Sequence, residues 1–498
     1  MMTDRQKRVV REPLARFGIA AGPPASSALA VLFERWELSD LDLMTIGDLM
    51  RCARASDDPE LAAMLGAMFV SRAQGSLCLR LDEAHLFAAV PQAAEAPVRA
   101  WLQGFLRAMD SGRYDTLIDR TGAGAYKPLI LDAATGRRLI YFQKFHFHEQ
   151  RLKRRLASFP VRRSDDRLPA AAIDAVIEEL YADSSVIRSR TGGDPIMRDP
   201  FQMTAIRKAL TASLLVVSGG PGTGKTSLLA NLLRALVRTG TDPSKIVLTA
   251  PTGRAAQRMT EALAVNLSTI LEPDARDRAL EGLTGSTMHK LLVYNRRTGG
   301  FVFGPDRPLA ADVVAVDEVS MVDVVMMDRL FQAIDPARTR VMLIGDKDQL
   351  PSVEAGSVLA DLNPAGGSGF PAHFVELAHV YRSSGQLLDL AHAINQGREI
   401  PLDPVELPAA MDLDAGNWAF VAARSDDALQ QDLDHWAARQ YLETAGSGQF
   451  SYVDLVQGLE GEMHAGDASD ENGRQPLLEA LFQFAHRCRV LTVMRRGP

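Results

Sequence analysis

Cysteine is scarce: Cys52, Cys78 and Cys488 are the three in 498 residues, and they form no CxxC pair. That spacing excludes a disulfide framework and a zinc site, and leaves three reduced, mostly buried thiols as the expectation. Long apolar runs are missing as well. The most apolar early stretch, residues 61–70, falls far short of the ~18 residues needed to span a bilayer. Met1-Met2-Thr3-Asp4-Arg5-Gln6-Lys7 carries charge with no apolar segment behind it, so it does not read as a secretory signal. There is no long low-complexity tract, and charged residues make up 23%, which favours a folded chain. Nor is there an excess of basic residues, since the net charge is −7. A basic groove on an acidic body remains compatible with that value, so charge decides nothing here. The absences together predict a soluble, cytoplasmic protein that does not engage a membrane.

What is present is core material: 46% hydrophobic residues, enough for roughly two to four domains at this length. Residues 29–107 carry apolar side chains at three and four spacing, as in Leu29, Leu32, Phe33 and Trp36, then Leu61, Met64, Leu65, Met68 and Phe69, which predicts helices. Pro128-Leu129-Ile130-Leu131 and Leu139-Ile140-Tyr141-Phe142 flank Asp132-Ala133-Ala134-Thr135-Gly136, a hairpin pattern. A basic helical stretch follows with Arg151, Lys153, Arg154 and Arg155, read either as a solvated face or as a DNA contact. Thr191-Gly192-Gly193-Asp194-Pro195 has the composition of a linker.

Beyond it, strand-like runs at 214–217, 246–248, 313–316 and 341–344 each lead into a glycine- or acid-bearing loop, and usually a helix. Repeated strand–loop–helix units predict a parallel sheet covered on both faces, with ligands at the carboxyl ends of its strands. The first such end is Gly219-Gly220-Pro221-Gly222-Thr223-Gly224-Lys225-Thr226, the GxxxxGKT loop in its strand–loop–helix setting. Its glycines let backbone N–H groups wrap phosphates, and the helix N-terminus adds a positive dipole. Lys225 is placed for the β- and γ-phosphates of ATP, and the Thr226 hydroxyl for Mg²⁺.

Asp317-Glu318 closes the apolar run Val313-Val314-Ala315-Val316. Alone, such a pair is as often a helix N-terminal charge. Beside a phosphate loop, Asp317 is read as the Mg²⁺ partner and Glu318 as the group that polarises attacking water. Gly345-Asp346-Lys347-Asp348-Gln349-Leu350-Pro351 ends a third strand; it is either an acidic turn or a loop that presents Gln349 to the γ-phosphate. Arg382 is a candidate for stabilising transferred phosphoryl charge, although a lone arginine is more often a surface residue. Gln202 stands upstream of the loop at a distance suited to reading adenine, a weak signal by itself.

Further blocks occur in order: Leu248-Thr249-Ala250-Pro251-Thr252-Gly253-Arg254-Ala255-Ala256, then Thr287-Met288-His289-Lys290-Leu291-Leu292, then Val319-Ser320-Met321-Val322-Asp323 after the acidic pair, then Tyr381-Arg382 with residues 391–397. The series resembles the ordered motifs of superfamily 1 DNA helicases, and within them the α subunit of exodeoxyribonuclease V, RecD, over about residues 201–397. The resemblance implies a 5′-to-3′ ATP-dependent helicase subunit of a RecBCD-like complex, acting on single strand at a duplex end with RecB-like and RecC-like subunits, in break repair and recombination. It implies an N-terminal region that docks on the RecC-like partner, as Phe69-Val70-Ser71-Arg72-Ala73 and Pro128-Leu129-Ile130-Leu131 also suggest. The absence of a long helix-hairpin-helix extension fits stand-alone RecD-like helicases less well.

Pro251, Thr252 and Gly253 follow a strand and open a helix, so they read as a single-strand phosphate site or as a plain N-cap. His289 reads as a DNA contact or as a structural histidine. Residues 293–303 read as a hairpin belonging to the subdomain that splits the duplex. The expected division is 1–120, a helical partner-binding domain; 121–195, a hairpin and basic helix; 196–362, a RecA-like P-loop ATPase lobe; and 363–498, an incomplete second RecA-like lobe. The last expectation follows because Arg487–Pro498 resembles a strand of that lobe and no later helicase motif follows it. Weak ATPase and little unwinding by the chain alone are then expected. A nucleotide-binding, partner-docking subunit without motor activity and a stand-alone RecD-like helicase are the other two readings. Small-molecule kinases share the phosphate loop but have no use for the later blocks.

Overall fold

The computed structural model describes residues 33–90, 95–121, 126–133, 136–159, 168–188, 193–297, 299–349, 355–363, 372–379, 381, 386–400, 420–423, 425–442, 451–464, 475–478 and 480–482. Arg382, Leu350, Pro351 and residues 487–498, all singled out above, lie outside them. The chain forms two compact units, Met1–Arg382 and Ser383–Pro498.

In the first unit, α1 (Asp40–Cys52) and α2 (Pro59–Ala73) begin at Ser39 and Asp58, whose side chains accept the N–H groups of Asp42 and Leu61. β1 (Cys78–Arg80), α3 (Glu83–Ala89) and α4 (Glu95–Asp110) follow, then β2 (Ile118–Asp119), β3 (Leu129–Asp132) and β4 (Leu139–Phe142). The expected hairpin is present, with β3 and β4 antiparallel and Ile130 opposite Tyr141. β1 joins its edge, Leu79 opposite Ile140, in the order β1-β4-β3-β2. One hydrophobic core runs from Phe33 to Ile140, so the helices and the hairpin form one body rather than parting at residue 120.

The basic stretch is α5 (Gln143–Ala157). It is not a fully solvated face. Arg151 and Arg155 turn inward against residues 328–334, while Lys153 and Arg154 stay exposed. The physical reason is on the other strand–helix unit: Asp328 is buried and needs cations around it.

α6 (Ala170–Leu180) and α7 (Pro200–Thr211) lead to β5 (Leu214–Gly219), α8 (Lys225–Arg238), β6 (Ile246–Ala250), α9 (Gly253–Ser268), α10 (Ala275–Arg278), β7 (Gly285–Thr287) and α11 (Met288–Leu291). Next come β8 (Tyr294–Asn295) and β9 (Gly300–Phe301), the small antiparallel hairpin expected at 293–303. β10 (Val313–Val316), α12 (Val324–Gln332), β11 (Arg340–Gly345), α13 (Val358–Asp361) and β12 (Phe374–Leu377) complete the lobe. The sheet order is β12-β5-β11-β10-β6-β7, every neighbouring pair parallel. β5, β10 and β11 are buried throughout, as a sheet covered on both faces requires. This is a P-loop, RecA-like α/β lobe.

Two boundaries shift. Ile173, Ile177, Val186 and Ile187 share the core of α7 and α8, and Ile196 donates its N–H to the Ile187 carbonyl at 2.9 Å. Residues 170–188 and Ile196 are therefore tied into the lobe, whereas Thr191 and Gly192 of the expected linker lie outside the described residues. At the other end β12 pairs with β5, Val375 opposite Val217, which carries the sheet past residue 362. In the second unit, α14 (Gln386–Asn395), α15 (Asp426–Tyr441) and α16 (Tyr452–His464) are described. No helix among the described residues is long and apolar enough to cross a membrane.

Candidate nucleotide site

Three strand ends meet at one edge of the sheet. After β5 the chain turns through Gly222 and Gly224, with φ of 77° and 81°, and only glycine holds that conformation without strain. A Cβ on Gly224 would also lie 2.9 Å from Gln202 Nε2. The turn delivers the N–H groups of the loop to the start of α8. Lys225 Nζ donates to the carbonyls of Gly219, at 2.5 Å, and Gly220, at 3.0 Å, which folds the ammonium over its own loop. Thr223 Oγ1 donates to the Gly220 carbonyl at 2.8 Å and stiffens the same turn. Pro221 is exposed at the tip, and Thr226 is half-buried in the first turn of α8.

From β10, the Asp317 N–H donates to the Thr249 carbonyl at 3.0 Å, and its Oδ1 accepts the Glu318 N–H at 2.9 Å. Glu318 has a φ of 53°, a left-handed conformation that costs a non-glycine residue about 1–3 kcal/mol and marks functional turns. Burial pushes the Asp317 carboxyl up to about 6, with the Glu318 charge adding to it and Lys225 opposing. For Lys225 itself, burial pulls the ammonium down, and Asp346, then Glu318, then Asp317 push back. The lysine thus sits in the field of three carboxylates from two neighbouring strand ends.

From β11, Asp346 is buried and accepts the Asp348 N–H at 3.0 Å, while the Lys347 N–H donates to Ser218 Oγ at 3.0 Å. Ser320 Oγ lies 3.4 Å from Gln349 Oε1, so the loop carrying Gln349 touches the turn after Glu318. Asp346 carried no assigned role in the sequence reading. The signal was available, an acid directly after a strand-ending glycine, but its neighbour across the sheet was not.

A cavity of about 1100 Å³ opens beside the loop, lined by Gly222, Gly224, Thr226, Gln202, Arg258 and Tyr381 among others. Gln202 is buried and, among the described residues, its Oε1 has no hydrogen-bond partner, an unusual cost for an amide unless a ligand donates to it. Tyr381 also went unassigned. Its N–H donates to the Gly222 carbonyl at 2.8 Å, and its hydroxyl to Asp199 Oδ2 at 3.0 Å. Asp199 caps the helix that carries Gln202. Tyrosine therefore ties the phosphate loop to the Gln202 helix.

The residues read as DNA contacts lie at other strand ends. Thr252 Oγ1 accepts the Ala255 N–H at 3.2 Å, so it is the N-cap of α9, with Pro251 half-buried before it and Gly253 exposed after it. The cap uses the oxygen lone pair and leaves the hydroxyl proton to donate elsewhere. His289 is exposed and sits in an aromatic group with Tyr294, 6.1 Å between centroids, and Phe301, 5.9 Å. Among the described residues no group of three or more His, Cys, Asp or Glu forms a metal cluster. The oxygen pair Thr226 and Asp317 is instead the donor type that suits Mg²⁺ beside phosphates, which bring the remaining ligands.

Comparison with known proteins agrees with this lobe. A family model described as an AAA domain matches residues 202–355. The RecBCD enzyme subunit RecD of Mycolicibacterium smegmatis is 43% identical over 205 residues, 39% of this chain and 35% of the relative. The same subunit of Haemophilus influenzae is 29% identical over 318 residues, 60% of this chain and 49% of the relative. The ATP-dependent RecD2 DNA helicase of Deinococcus radiodurans is 35% identical over 189 residues, 37% of this chain and 22% of the relative. The matched stretch spans less than half the length of each of these relatives. Loop, acidic strand end and matched stretch coincide: residues 202–355 match the AAA-domain model, and the same lobe is similar to part of the RecD subunits.

Proposed function

We propose that this chain is the ATP-hydrolysing helicase subunit of a RecBCD-like complex, moving 5′ to 3′ on single strand. The observation that carries the reading is the meeting of Lys225 with Asp317, Glu318 and Asp346 at the ends of β5, β10 and β11. Such a cluster is what phosphoryl transfer from a nucleoside triphosphate needs, since its catalysis is positioning and charge neutralisation. Gln202, whose Oε1 is unpartnered among the described residues, is suited to accept from the adenine amino group. Lys225 moves its ammonium from the loop carbonyls to the phosphates. Thr226 and Asp317 would hold Mg²⁺, which would supply neutralisation of the phosphate charge. Glu318, on its strained turn, holds the attacking water, and Gln349 reports the γ-phosphate to the turn after Glu318. Arg382 stabilises transferred charge in this scheme.

The N-cap at Pro251, Thr252 and Gly253, with His289, grips single-strand phosphates and bases, and the β8–β9 hairpin parts the duplex. RecB-like and RecC-like subunits are the proposed partners, and break repair the setting. Lys225→Ala tests the core of the reading. It is expected to lower DNA-stimulated ATPase at least about 100-fold with an unchanged thermal transition. Turnover within about twofold of the parent chain counts against it.

A further inference from the structure

Helix α5 is packed against α12, which follows the end of β10, and shares a hydrophobic core with α13, which follows β11. Toward α12, His148 Nδ1 lies 2.6 Å from Asp328 Oδ2. Arg151 Nε donates to both Asp328 oxygens at 3.0 and 2.9 Å. Arg155 Nε donates to the Phe331 carbonyl at 3.0 Å and its Nη2 to the Ile334 carbonyl. Burial raises the Asp328 carboxyl, but hydrogen bonds from His148 and Arg151 outweigh it and hold it charged. Toward α13, Asp361 is raised by burial first and then by the Glu149 charge on α5. The chain entering α13 is held too, since the Gly356 N–H donates to the Gly75 carbonyl at 2.9 Å. Phe145, Leu152, Leu156 and Phe159 share one core with Met327, Phe331, Val358 and Leu359.

α12 connects to the end of β10 without slack, and the side chains of α13 reach the end of β11. α12 is capped by Asp323, one residue after the 3₁₀ turn Val319–Met321 that follows Asp317 and Glu318. At the end of β11, a Cβ on Gly345 would meet Leu359 Cδ2 at 2.8 Å and the backbone nitrogens of Ser320 and Val319 at 3.2 Å. The ends of β10 and β11, α12 and α13 therefore form one tight stack, and α5 is its outer wall.

We propose that α5 braces the two catalytic strand ends, and that Arg151 is a positioning residue for ATP hydrolysis. Without its arginine, the buried Asp328 carboxylate keeps only His148 and Gln332 among the described residues, and loses its fixed positive charge, which favours uptake of a proton or entry of water. Either lets α12 move against the turn that carries Glu318, and small displacements from attack geometry lower the rate steeply. The hydrolysis clause rests on the nucleotide reading above, whereas the brace belongs to the chain without nucleotide.

Hydrogen exchange on the full chain without nucleotide tests the brace. In Arg151→Met, amides of 317–321 and 345–349 are expected to exchange about fivefold faster, with Arg151→Lys intermediate. Arg99→Met, which cuts the exposed Arg99–Glu83 pair, is expected to leave them unchanged. Asp328→Asn probes the same contact from its buried side, and Arg151→Met still decides if that variant does not fold. In steady state, Arg151→Met is expected to lower kcat about tenfold with KM within about twofold. Unchanged exchange in folded Arg151→Met overturns the brace, and faster exchange with unchanged kcat overturns the positioning role. If the parent chain binds no ATP, the nucleotide reading falls, and the exchange result still judges the brace.

Discussion

Arg234, wholly buried, donates from Nε to Asp277 Oδ1 at 2.8 Å, joining α8 to α10 across the lobe. Arg238 donates to the same oxygen at 2.8 Å and to Oδ2 at 3.0 Å. Two guanidinium groups on consecutive turns of one helix thus share one carboxylate. Burial pushes the Asp277 carboxyl up, but hydrogen bonds from Arg238 and Arg234 outweigh it and bring it down to about 2.

The pH dependence follows from that sign. A carboxyl at about 2 when folded and roughly 3.9 when unfolded contributes its full stabilisation above about pH 4, and loses it as pH falls toward about 2. Asp277→Asn is expected to cost about 3 kcal/mol at neutral pH, because two arginines lose their anion. Urea unfolding of both proteins at falling pH checks this: the gap narrows below about pH 4. A gap that stays constant shows the linkage to be wrong.

Gly224→Ala places a methyl group on a left-handed residue, 2.9 Å from Gln202 Nε2. The backbone cost is about 1–2 kcal/mol, and the relief available is to open the phosphate loop or push Gln202 aside. A lower melting temperature together with at least tenfold weaker nucleotide binding, read by calorimetry, is expected. Gly240→Ala is the control, since Gly240 has a similar positive φ and, among the described residues, no atom within 4 Å of its Cβ position; it is expected to lose stability alone.

Gln202→Ala removes the buried amide whose Oε1 has no partner among the described residues. Nucleotide selectivity is the informative measurement. Discrimination between ATP and GTP is expected to shrink about tenfold, because one base-directed hydrogen bond in a buried site is worth roughly 1–2 kcal/mol. Equal losses for both nucleotides would assign Gln202 to holding the loop instead.

Thr252→Asp separates two roles of one hydroxyl. Aspartate caps a helix as well as threonine does, so the cap given by Thr252 to Ala255 is kept and the melting temperature is expected to hold. A new negative charge at a phosphate contact weakens single-strand binding about tenfold or more, with a shallower salt dependence. Fluorescence anisotropy with labelled oligonucleotide at two salt concentrations is the check. Unaltered binding would leave Thr252 as a cap and nothing else.

Local patterns determined much of this protein. The strand–loop–helix rhythm from residue 214 is the parallel sheet, because continuous Val, Leu and Ile runs can only be buried between two layers. Gly222 and Gly224 announce the phosphate turn, since the left-handed backbone there admits little else. The hairpin at 129–142 was legible for the same reason, as its pairing is local. What only the tertiary structure decided are the contacts between distant segments. Arg151 reads as surface charge until Asp328, 177 residues later, is found buried against it. Asp346 and Tyr381 acquire meaning only when β11 is laid beside β5 and the chain after β12 returns to Gly222. Periodicity reports which face of a segment avoids water, whereas charge pairing and orphaned polar atoms depend on what the fold brings opposite, and that partner is not encoded nearby.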